Sequence, residues 1–136
     1  MDIKLKAFKK SVLSLSQLFS LNLQDYESNP VVIDGLKNGI AQKFEYTTEL
    51  CWKTIKKFLQ EKEGIESKSP KQSIKNFFDT GYLTEADYLL LIEILVSRNE
   101  LSHVYDEETF EKIIGKIAIY LPIFHRVLLI LEQNWE

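Results

Sequence analysis

Cysteine is nearly absent from this 136-residue chain. The single thiol, Cys51, excludes an internal disulfide framework and a cysteine-based zinc site, and it fits a reducing compartment. Basic charge is also short. Seventeen Lys and Arg against twenty Asp and Glu give a net charge of −3, which argues against holding nucleic acid by bulk electrostatics and leaves room only for a local basic site. No window holds the roughly 18 uninterrupted apolar residues that a membrane span needs, and the run from Ile117 to Phe124 is broken by Pro122. The N-terminal lysines are followed by Ser11 to Leu18, too polar for a signal peptide and without a small-residue cleavage site. A cytoplasmic protein without membrane attachment is expected.

What is present suits one globular domain spanning 1–136. Apolar residues make up 45% and charged residues 27%, and a chain of this length buries roughly two-thirds of its unfolded surface. Leu5, Phe8, Val12, Leu15 and Phe19 recur at three and four residues and predict a first amphipathic helix. Residues 22–30 have little period and read as a connection. A second helix starts near Val31 and runs through Ile40, Phe44, Thr47, Cys51, Ile55 and Phe58 to a stop at Gly64. Gly35 and Gly39 weaken its first turns by up to about 1 kcal/mol each, which favours a later start. Ser69-Pro70-Lys71-Gln72 is a capping box for a short third helix that ends at Gly81. Thr84 opens a fourth helix with Tyr88, Leu91, Ile92 and Leu95 on its apolar face, ending near 103–105. Asp106-Glu107-Glu108 starts a fifth, with a stripe from Ile113 to Leu131 and a kink expected at Pro122. No segment alternates as a half-buried strand would. The expected fold is all-α: an antiparallel up-and-down four-helix bundle with an additional short helix.

The chain holds two arginines and two histidines, and one of each falls in Arg98-Asn99-Glu100-Leu101-Ser102-His103-Val104-Tyr105. On a helix Asn99 and His103 share a face, while Arg98 lies about 140° round the axis from His103. A guanidinium supplies a fixed charge and a fork of donors for phosphate oxygens, and an imidazole moves protons near neutral pH. Together they suffice for metal-independent cleavage of RNA. Neutral His103 takes the proton of a ribose 2′-hydroxyl, which attacks the adjacent phosphorus, and Arg98 stabilises the charge on the phosphoryl oxygens. Asn99 and Tyr105 are candidates for holding RNA or nucleotide. The plainer alternative makes His103 a capping or packing residue and pairs Arg98 with Glu93, Glu100 or Glu107.

The Arg-x4-His-x-Tyr pattern resembles the motif of the HEPN superfamily as it occurs in HepT proteins. Two further blocks, Gly39 to Lys53 and Ser69-Pro70-Lys71, are similar to the second helix and the short helix of the nucleotidyltransferase substrate-binding protein family. The likeness runs from about residue 3 to residue 131. It implies a helical-bundle homodimer that works with a minimal nucleotidyltransferase encoded nearby. In one interpretation of such proteins the bundle is the toxin of a toxin–antitoxin pair, an RNase with its motif at a dimer cleft, silenced by AMP transfer to the motif tyrosine. Carried over, Arg98 and His103 are catalytic and Tyr105 is the AMP acceptor. The other interpretation makes the bundle a non-catalytic substrate- or nucleotide-binding subunit of a two-component transferase.

The family often has arginine where this chain has Lys43, so charge is kept and bidentate phosphate recognition is lost. Phe44, Tyr46 and Trp52 read as core or dimer-interface residues. Glu45, Glu49 and Lys53 read as a solvated ion-pair ladder. RNA contact by so acidic a chain depends on a local patch, with Lys53, Lys56 and Lys57 as candidates. His125 has no carboxylate or histidine at metal-ligand spacing, so neither a metal nor another cofactor is expected.

Overall fold

The computed structural model describes residues 1–103 and 106–135, with the backbone alone at residue 103. Its long elements are α1 (Ile3–Phe19), α2 (Pro30–Phe58), the short α3 (Pro70–Asp79), α4 (Glu85–His103) and α5 (Glu107–Asn134). A 3-10 turn at Leu23–Tyr26 lies within the first connection, and a π turn at Leu59–Glu63 extends α2. No strand occurs among the described residues.

Each start has a side chain that satisfies an otherwise orphaned N–H group. Asp2 accepts from the N–H groups of Lys4 and Leu5 at 2.7 and 3.3 Å. Asn29 accepts from Val32 N–H ahead of Pro30, and this cap with proline in the first turn sets the start of α2 despite the two glycines. The later start that Gly35 and Gly39 favour therefore does not occur. Gly39 instead lets α1 come close, because a Cβ there would meet Leu18 Cδ2 at 3.2 Å. Ser69 accepts from Gln72 N–H, whereas the Gln72 side chain closes on Lys68 N–H, one residue earlier than the capping box expects. Gly64 and Gly81 end their elements at φ 67° and 90°, a region that costs other residues strain. α5 continues through Pro122, whose ring is exposed.

Cross-helix pairs fix the directions. Lys57 meets Asp2 and Lys43 meets Ser14, so α1 and α2 run antiparallel. Glu45 with Ser102 and Glu49 with Arg98 set α2 against α4. Asp87 with Arg126 and Glu93 with Lys116 set α4 against α5. Lys9 with Glu132 and Ser16 with His125 close α5 back on α1. Four antiparallel neighbours in a ring make the up-and-down bundle, with α3 packed against α2 and α4.

The core follows the predicted stripes of α1, α2 and α5, whereas on α4 the buried apolar residues are Leu91 and Ile94, and Tyr88, Ile92 and Leu95 of the expected face are only part-buried. Phe8, Phe44, Tyr120 and Phe124 meet at its centre, Phe44 stacked on Tyr120 at 5.6 Å. Phe58, Phe77, Tyr82 and Trp135 form a second aromatic cluster under α3. Cys51 is buried among apolar neighbours, which pushes its thiol well above the usual range. By length and hydropathy α5 is apolar enough to cross a membrane, but half of that stretch is buried inside the bundle, as befits a core helix.

Candidate functional site

The final turns of α4 lie against the middle of α2. Arg98 projects into that seam, its side chain 28% exposed, and one terminal nitrogen reaches Glu49 Oε1 at 3.1 Å. Its Nε is buried and has no acceptor among the described residues. The pairing is with α2, not with Glu93, Glu100 or Glu107 as the plainer sequence reading has it. Antiparallel packing explains this: it brings Glu49 opposite Arg98 and Glu45 opposite Ser102, one helical turn apart on both helices.

The acidic ladder of α2 is therefore only partly solvated. Glu49 does pair with Lys53 at 3.7 Å, but it also anchors Arg98. Glu45 accepts from the Ser102 hydroxyl at 3.3 Å, and that hydroxyl also lies 3.2 Å from the Arg98 carbonyl. Trp52, one turn beyond Glu49, leaves its buried indole Nε1 unpartnered among the described residues. Arg98 and Trp52 thus each keep a buried donor that no described acceptor satisfies. Such groups cost stability and recur where a protein meets ligands.

Asn99 is exposed on the other side of α4 and pairs with nothing described. His103 is the last residue of α4, and its side chain lies outside the described residues. Tyr105 lies outside them altogether. The structure thus places Arg98 and Asn99 in the same turns of α4, Arg98 inward and Asn99 outward.

The remaining candidates separate by environment. Phe44 is fully buried, Trp52 part-buried and Tyr46 60% exposed, so Tyr46 is not a core residue. Lys57 is tied to Asp2 at 2.8 Å and Lys53 to Glu49, whereas Lys56 makes no ion pair among the described residues. His125 bonds Ser16 at 2.8 Å.

Sequence reasoning missed a network on the opposite seam. Tyr120 donates to Glu93 at 2.7 Å and bonds Ser97 at 2.8 Å, and Lys116 approaches Glu93 at 3.3 Å. Burial, reinforced by the Glu93 carboxylate, pushes the Tyr120 hydroxyl up to about 12. The Tyr120 hydrogen bond, aided by Lys116, holds Glu93 below its ordinary value against the cost of burial. The available signal was Tyr120 itself, a polar-tipped ring on an apolar stripe.

A family model described as nucleotidyltransferase substrate binding protein like matches residues 3–133. A crystal structure of a Thermus thermophilus protein is 29% identical and superposes with a TM-score of 0.77, over 89% of this chain and 95% of that one. A second structure, described as tri-AMPylated Shewanella oneidensis HEPN toxin in complex with MNT antitoxin, superposes with a TM-score of 0.78. That match covers 98% of this chain and 100% of the other at 13% identity, a likeness of fold. No curated protein matches.

Proposed function

Since the chain belongs to the nucleotidyltransferase substrate binding protein like family, we propose that it is the HepT-like partner of a minimal nucleotidyltransferase and the toxin of a toxin–antitoxin pair. In this reading it is a metal-independent ribonuclease. The observation that carries it is the state of Arg98, set in the α2–α4 seam with its side chain 28% exposed and a single ion pair, to Glu49, among the described residues. An arginine kept only to brace two helices would give its fork to a carboxylate; this one gives Glu49 a single described contact and leaves part of its side chain exposed, where a phosphoryl group can meet it.

His103, five residues further on, serves as the general base toward a ribose 2′-hydroxyl, and Arg98 takes up charge on the phosphoryl oxygens. The 140° between them on one helix is bridged across a two-fold axis, so the working site draws on two copies of α4 in a homodimer. Asn99 holds the nucleotide. Tyr105 is the acceptor of AMP from the nucleotidyltransferase, which silences the site by filling it with charge and bulk. The Shewanella likeness supports the pairing, since that HEPN toxin is described with its MNT antitoxin and as AMPylated.

The test is cleavage of single-stranded RNA in EDTA by the purified protein, beside His103→Ala and Arg98→Ala. Cleavage by the wild type and its loss in both variants, with the dimer intact by light scattering, is the expected outcome. Cleavage that survives His103→Ala would sink the catalytic assignment. The intact mass after co-expression with the nucleotidyltransferase, with a Tyr105→Phe control, tests the silencing step.

The family description favours a second reading, a non-catalytic subunit that presents nucleotide or acceptor substrate to the transferase. It predicts complex formation and altered transferase activity with no cleavage by the bundle.

A further inference from the structure

Two hollows lie along the seam between α1 and α2, of about 650 and 460 Å³. Lys10, Ser14, Gln42, Lys43 and Tyr46 wall the first, and Lys4, Trp52, Lys53 and Lys56 wall much of the second. Neither is lined by a described carboxylate, in a chain whose net charge is −3. The hollows are in line. On α1 their residues Lys4, Ala7, Ser11 and Ser14 recur at three and four, and on α2 so do Gln42, Tyr46, Lys53, Lys56 and Gln60. Glu49 falls in the gap of that α2 stripe, and Glu49 is what holds Arg98. Arg98 therefore stands beside the midpoint of the groove.

The charge there is available. Lys43 is part-buried and donates at 2.6 Å to the neutral Ser14 hydroxyl, not to a carboxylate. Lys4, Lys10 and Lys56 make no ion pair among the described residues, whereas Lys53 and Lys57 are already matched by Glu49 and Asp2. Aromatic faces alternate with these cations. Tyr46 is 60% exposed, and the Trp52 ring lies 5.7 Å from the Lys53 ammonium.

We infer that the α1–α2 groove is the track of a single RNA strand. Phosphates rest on Lys10 and Lys43 to one side of Arg98 and on Lys4 and Lys56 to the other, with bases against Tyr46 and Trp52. The choice of RNA as ligand rests on the ribonuclease reading. A lone mononucleotide does not account for two hollows, since Lys43 and Lys56 are 13 residues apart, about 20 Å of helix. A duplex does not account for the aromatics, which can stack only on unpaired bases.

The experiment is fluorescence anisotropy with a labelled single-stranded 2′-O-methyl oligonucleotide, which 2′-hydroxyl attack cannot cut, so binding is read apart from cleavage. Lys10→Ala and Lys56→Ala, one on each side of Arg98, are each expected to weaken binding several-fold. Each should lower the slope of log affinity against log salt by about 0.7, the loss of one phosphate contact to a single strand. Lys71→Ala, exposed on α3 away from the seam, should change neither. Neither groove lysine supports its helix through a described ion pair, so folding is not at stake in the variants.

The track is overturned by a wild type that does not bind, by groove variants that bind as well as wild type, or by equal weakening in Lys71→Ala. A groove that binds RNA in a protein that cuts none would overturn the ribonuclease reading and leave the track standing.

Discussion

Each of the chain's two arginines bridges α4 to another helix, and the two bridges are built differently. On the α4–α5 seam Arg126 gives Asp87 two parallel hydrogen bonds, from Nε at 3.0 Å and Nη2 at 2.9 Å. Beside it Tyr120, Ser97, Glu93 and Lys116 satisfy one another. On the α2–α4 seam Arg98 makes one described ion pair, the Ser102 bond to Glu45 is long at 3.3 Å, and Arg98 Nε has no described acceptor. One helix thus carries a closed polar seam on one side and an open one on the other. A bidentate fork fixes geometry, whereas an arginine with spare donors can change partners. The comparison separates the two arginines by their bonding: Arg126 is held by a bidentate fork and Arg98 by a single described ion pair.

The largest expected effect comes from removing each of these arginines in turn. Arg98→Ala should lower RNA cleavage by about 10²–10³-fold, the usual loss when one donor to a developing oxyanion is removed. Its melting temperature should change little, because a part-exposed single ion pair contributes little to stability. Arg126→Ala should do the opposite, keeping cleavage while losing about 0.5–1 kcal/mol in urea unfolding as Asp87, 15% exposed, loses its fork. Parallel losses of activity in both variants would erase the distinction between the seams.

Stability sharpens it next. Tyr120→Phe keeps the buried ring stacked on Phe44 and removes only the hydroxyl shared by Ser97 and Glu93. It should cost about 1–2 kcal/mol, because the Ser97 hydroxyl is left buried with one partner fewer. Ser102→Ala, at the exposed edge of the open seam, should cost less than about 0.5 kcal/mol. Urea midpoints at constant slope would separate the two.

Most of the scaffold is legible in the sequence. The stripes of α1, α2 and α5 name their buried residues because a helix of period 3.6 has to place them on one face. Ser69-Pro70, Asp106 and Gly64 mark ends for local reasons, a side-chain acceptor or a left-handed residue, that need no tertiary information. Tertiary contacts decided the rest. Whether Glu49 faced water or an arginine depended on the register of α2 against α4, which periodicity within either helix does not contain. The start of α2 was a contest between a good cap at Asn29 and two poor helix formers, and the cap prevailed. Glycine at 39 is a packing device toward Leu18, a role invisible without the neighbouring helix. At the motif, spacing relates Arg98 and Asn99 to His103 around the helix axis, but only the fold names the partner of Arg98.

The smallest effect is a difference in pH response across the closed seam. The Tyr120 hydroxyl and Lys116 hold Glu93 below its ordinary 4.5 in the folded protein, so folding favours its ionised form. The stability this provides is present above pH 4.5 and is lost as pH falls through the folded value, because the unfolded chain binds the proton first. At the alkaline end the sign reverses. Burial raises Tyr120 from 10.0 to about 12, so its contribution is complete below pH 10 and declines as the unfolded tyrosine ionises. Glu93→Gln should therefore flatten the fall in melting temperature below pH 4.5, and Tyr120→Phe should flatten the fall above pH 10. Ser102→Ala, in the open seam, should leave both limbs as they are. Melting curves from pH 3 to 11 would show this, and a wild-type acid limb reproduced unchanged in Glu93→Gln would place the acid-sensitive contact elsewhere in the bundle, with the Asp2 cap of α1, itself held low against the cost of burial by Lys57 and two backbone N–H groups, as the next carboxylate to replace.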